Sequence, residues 1–105
     1  MTNYMQTKTL EIATCSDRDL IFAVNWHGVE NDLSQALRIA LRGECWRKQN
    51  GYGKRGYTPP QGWDWSGIRD STTYAQGEMA KSLRTILAKN RIATITLSYE
   101  DHVAF

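Results

Sequence analysis

Little in this sequence marks it as a specialised class. Its two cysteines, Cys15 and Cys45, are too few for a disulfide framework. Two prolines rule out a proline-rich linker or a collagen-like repeat. No apolar stretch approaches the roughly 20 residues that cross a bilayer; the first of any length runs only from Leu20 to Val24. The opening Met1-Thr2-Asn3-Tyr4 has no basic segment leading into an apolar one. These absences lead us to expect no membrane partner, a cytoplasmic setting, and thiols that stay reduced. Neither sign of charge dominates: the formal net charge is +2 and the isoelectric point about 8.6. Any polyanion partner must therefore be sought in how charge is distributed, not in its total.

What is present resembles an ordinary globular composition, 41% hydrophobic and 23% charged. A chain of 105 residues holds one hydrophobic core, so residues 1–105 are expected to form a single small α+β domain. No internal repeat or low-complexity tract breaks it.

Thr7 to Cys15 alternates, with Leu10 and Ile12 on one face and Thr9, Glu11 and Ala13 on the other, which predicts an edge strand. The polar Ser16-Asp17-Arg18-Asp19 reads as a turn, and the apolar Leu20 to Trp26 as the central strand of a hairpin with the first. Asn31 or Asp32 can cap a helix extending to residue 49. Its stripe would be Leu33, Ala36, Leu37, Ala40, Leu41 and Cys45, with Gln35, Arg38 and Arg42 on the polar side. Residues 51–70, punctuated by Gly51, Gly53, Gly56, Pro59-Pro60, Gly62 and Gly67, predict a long loop.

Ser71, Thr72 and Thr73 offer caps for a second helix to residue 90, with Met79, Ala80, Leu83, Ile86 and Leu87 buried and Asn90 as terminator. Ile92 to Tyr99 alternates as a last strand. The order β-β-α-loop-α-β predicts a two-layer sandwich: a three-stranded, mainly antiparallel sheet with two helices on one face.

The candidate chemistry is sparse. Cys15, His27, Cys45 and His102 are the residue types of a zinc site, but none lies within ten residues of another, whereas zinc ligands come in close pairs. No metal, cofactor or catalytic residue is expected. Cys45 has cationic neighbours in Arg42, Arg47 and Lys48, yet it continues an apolar stripe, and a core thiol cannot attack a substrate. The acid pairs Asp17 and Asp19, Glu30 and Asp32, and Glu100 and Asp101 fall at turns or element ends, where acids act as caps. Gly51-Tyr52-Gly53-Lys54-Arg55-Gly56 is glycine-rich, but it follows a helix and does not join a strand to one, so it is no phosphate-binding loop.

One segment stands apart. From Arg42 to Tyr57, five cations (Arg42, Arg47, Lys48, Lys54 and Arg55) meet only Glu44, a formal +4, so the rest of this +2 chain sums to −2. Trp46, Tyr52 and Tyr57 are interleaved with these cations, and Trp63 and Trp65 follow. Cations neutralise phosphates and aromatic rings stack on bases, so the segment predicts a non-enzymatic module that binds a polyanion, most simply nucleic acid. The alternative is an inhibitor or adaptor, compatible with an accessory protein of a mobile genetic element, that anchors Trp63 and Trp65 on an acidic protein surface. Against both stands the option that Trp46, Trp63 and Trp65 turn inward as a satellite core.

Overall fold

The computed structural model describes residues 5–26, 28–49 and 73–100. Six elements follow in order: β1 (Met5–Glu11), α1 (Asp17–Asn25), β2 (Val29–Asn31), α2 (Gln35–Gln49), α3 (Thr73–Lys89) and β3 (Thr94–Glu100). The fold is α+β, with a three-stranded antiparallel sheet in the order β1-β3-β2. Predicted loop residues 51–70 lie outside the described residues.

The apolar run Leu20 to Trp26 is the main correction. It forms helix α1, not a central strand, so there is no hairpin. Ser16 is its N-cap: the backbone there is extended and Oγ accepts the Asp19 amide at 3.1 Å. Asp17 and Asp19 place negative charge in the first turn, where the helix dipole favours it. Leu20, Ile21, Ala23, Val24 and Asn25 are all buried, because α1 is covered on several sides. A helix buried in that way produces the same short apolar run as a central strand.

The central strand is β3, which pairs with β1 from Met5↔Glu100 to Glu11↔Thr94 and with β2 from Val29↔Tyr99 to Asn31↔Leu97. Both neighbours run antiparallel to β3, so β1 and β2 are parallel to each other, and α1 carries the chain across between them. β1 is the predicted edge strand, although it stops at Glu11. Ile12 still donates its amide to Ala93 O at 3.0 Å. Asp32 extends the other side of the ladder with its side chain, Oδ1 accepting the Thr96 amide at 3.4 Å.

Opposed residues of an antiparallel pair share a face. Leu10, Ile95, Leu97 and Val29 therefore point together into the core, and all are buried. Thr7, Thr9, Glu11, Thr94 and Glu30 point away from it and are exposed. On the covered side α3 packs against both α1 and α2, which also touch each other. Met79, Ala80, Leu83 and Leu87 of the predicted α3 stripe are fully buried, and Ile86 packs beside them.

Helix α2 is rotated from the predicted face. Leu41 and Cys45 are buried and Leu37 is half-buried, but Ala36 and Ala40 are exposed. Arg38 and Arg42, expected on the polar side, lean inward to satisfy carbonyls of neighbouring elements. The cap is Ser34, whose Oγ accepts the Leu37 amide at 3.2 Å and whose carbonyl accepts Arg38 N at 2.9 Å. Asn31, predicted as a cap, shapes the turn before it by accepting Leu33 N at 3.1 Å.

Gly43 in α2 and Gly77 in α3 are interior helical positions where an added Cβ meets nothing within 4 Å. Glycine there only enlarges the conformational freedom of the unfolded chain. Gly43→Ala and Gly77→Ala should each stabilise the domain by about 0.5 to 1 kcal/mol. A lower melting temperature in either variant would contradict this.

Candidate functional site

Of the nine predicted binding residues, Arg42, Arg47 and Lys48 are described, all on α2. Tyr52, Lys54, Arg55, Tyr57, Trp63 and Trp65 lie outside the described residues. The three on α2 do not share a face: Arg42 and Lys48 are six residues apart on a helix of 3.6 residues per turn, which sets them on different flanks.

Arg42 turns toward α1 and donates Nε to Val24 O at 2.8 Å. Arg38, one turn earlier, donates Nη2 to Val29 O at 3.4 Å. Helix α1 has no basic residue in its last turn, so α2 supplies the cation that its C-terminal end favours. Burial, and then repulsion from Arg38, lowers the pKa of Arg42. Gln35, Arg38 and Arg42 line a groove of about 270 Å3 with Leu33 and Ile39, and Ile39 is 53% exposed.

Arg47 forms an ion pair with Glu44 at 3.2 Å. Glu44 and Lys48 lie on the flank facing α3, in a groove of about 390 Å3 shared with Glu78, Lys81, Thr85 and Lys89. Lys81, Thr85 and Lys89 recur every four residues and so form one row along α3. Lys81 and Lys89 are exposed and make no ion pair among the described residues. The row escapes a search for dense runs of charge, although its four-residue spacing is legible in the sequence. Trp46 is half-buried and packs against the main core, whereas the satellite core proposed for it with Trp63 and Trp65 falls on residues outside those described.

Cys45 is fully buried, and burial pushes its thiol up to about 12. The fully buried Asn25 donates Nδ2 to Cys45 Sγ at 3.2 Å and to Ile21 O at 2.8 Å. Burial also raises Cys15, against the lowering influence of Arg84. Among the described residues no three of His, Cys, Asp and Glu converge as metal ligands. His27 and His102 lie outside the described residues. Among the described residues no helix is long and apolar enough to cross a membrane.

The acids near helix ends are in structural use: Asp17 pairs with Arg84 at 2.6 Å and Asp19 with Lys8 at 3.8 Å. A groove of about 630 Å3 lies where α3 turns into β3, between Ile12, Ala88, Arg91 and Ile92. Arg91 there has φ 59° and closes the helix, taking the left-handed role that a glycine usually fills. Asn90, the predicted terminator, instead donates its side-chain amide back to Ile86 O at 2.8 Å. Comparison with known proteins gives no matching family model, no matching curated protein and no matching solved structure.

Proposed function

We propose that this protein is a non-enzymatic, cytoplasmic binding module for a polyanion, with nucleic acid as the partner. The carrying observation is the segregation of charge, a formal +4 between Arg42 and Tyr57 in a chain whose remainder sums to −2. Lys81 and Lys89 support it, because they add cations without ion pairs among the described residues to the groove that holds Lys48 beside Glu44 and Glu78. The Arg47–Glu44 contact is a surface ion pair worth less than about 1 kcal/mol, which a phosphate can outcompete.

The test is a salt titration of binding to oligonucleotides, for the wild type and for glutamine variants of Arg47, Lys48, Lys54 and Arg55. Neutralising a cation that touches a phosphate should flatten the dependence of log affinity on log salt by roughly 0.7 to 0.9. Alanine at Tyr52 or Tyr57 should cost about 1 to 3 kcal/mol if the ring stacks on a base, with the salt slope unchanged. If neither single- nor double-stranded DNA or RNA binds at low salt, the nucleic-acid reading falls. A nuclease-resistant complex that depends on Trp63 or Trp65 would favour an acidic protein partner instead.

A further inference from the structure

We infer that Gln35, Arg38 and Arg42 form a phosphate-binding site on the flank of α2 facing α1 and β2. This rests on the polyanion reading and assigns the phosphate-specific contact to a surface other than the helix end.

The two arginines lie one turn apart and line the same groove. Each is held by a neutral carbonyl, Arg38 by Val29 O and Arg42 by Val24 O. Among the described residues neither has a carboxylate partner, unlike Arg47 and Arg84. Two neighbouring guanidiniums repel each other, and that repulsion, after burial, contributes to the lowered pKa of Arg42. Arg38 Nε is closed off from water and has no acceptor among the described residues, so that guanidinium is one bond short of satisfaction there.

Arg42 uses Nε for its carbonyl, and this fixes the plane of the group while leaving both terminal nitrogens as donors. An anion between the two would relieve the repulsion and accept charge-assisted bonds from both. Paired planar donors suit the tetrahedral oxygens of phosphate, and the Gln35 amide on the same groove adds a neutral donor. The phosphate can belong to a nucleic-acid backbone or be free.

The experiment follows the side-chain Nε–H signals of the full-length protein by NMR. It uses two probes, inorganic phosphate and a single-stranded oligothymidylate, and compares wild type, Arg38→Gln and Arg38→Lys, each checked for an unchanged melting temperature. Both probes are expected to shift the Arg38 and Arg42 signals. Arg38→Gln should weaken oligonucleotide binding roughly tenfold and flatten the salt slope by about 0.7. Arg38→Lys should restore the slope but not the affinity, because an ammonium keeps the charge and loses the fork.

Oligonucleotide binding that leaves both arginine signals and the Arg38→Gln affinity unchanged would overturn the inference and keep the polyanion reading. Phosphate shifts without oligonucleotide binding would sustain the site and remove that reading. No response to either probe removes both.

Discussion

Replacing Arg84 with alanine should lower the unfolding free energy by roughly 2 to 4 kcal/mol. From the middle of α3, its guanidinium donates Nε to Ile12 O at 2.8 Å, Nη2 to Cys15 O at 2.6 Å and Nη1 to Asp17 Oδ1 at 2.6 Å. These bonds fix the path between the end of β1 and the first turn of α1. The Asp17 contact raises the pKa of Arg84, but Asp17 is 48% exposed, so the ion pair itself is worth under about 1 kcal/mol. Most of the loss should come from the two carbonyls that lose their guanidinium donors, Ile12 O keeping only the long contact from Cys15 Sγ at 3.8 Å. Asp17→Asn should therefore be mild, and Arg84→Lys nearly as harmful as alanine, because one ammonium cannot reach three acceptors in different directions. Urea denaturation measures all three. An Arg84→Ala midpoint within error of wild type would refute this account.

The second large effect is on alkaline stability. The folded state holds the Cys45 thiol protonated up to about 12, whereas its ordinary value is 9.0. Below pH 9 both states carry the proton and stability is insensitive to it. Above pH 9 the unfolded chain releases the proton and the folded chain keeps it, so stability falls by about 1.4 kcal/mol per pH unit as pH approaches 12. Between about pH 8 and pH 10.5 this removes about 2 kcal/mol. Lysines and tyrosines also titrate there, so the diagnostic quantity is the difference from Cys45→Ala. That variant starts less stable because of its cavity, but its stability should decline less steeply with pH. Parallel pH profiles for the two proteins would show that Cys45 is not the group responsible.

Local pattern carried a good part of this fold. Helix α3 was readable because its buried residues Met79, Ala80, Leu83 and Leu87 repeat at helical spacing over a long window. Helix α2 was readable in extent but not in facing. A periodic stripe does not reveal that Arg38 and Arg42 will be drawn inward by carbonyls of α1 and β2, which leaves Ala36 and Ala40 outside. Of the candidate site, composition showed the charge concentration. It could not divide Arg42 from Lys48 or join Lys48 to Lys81 and Lys89, because those relations need the packing of two helices.

By itself the sequence determined the α+β class, the two long helices, the alternation of β1 and β3, and the burial of Cys45. Each is written in spacings of a few residues, on the scale at which backbone geometry repeats. Only the tertiary structure decided that Leu20 to Val24 is helical, since a short apolar run buried on several sides fits either conformation until its neighbours are known. It also decided that β3 is central, that three residues suffice for β2, and that Arg84 secures Ile12 and Cys15 across some 70 positions of chain. Those features depend on contacts between distant segments, and their free energy exists only once the chain has closed.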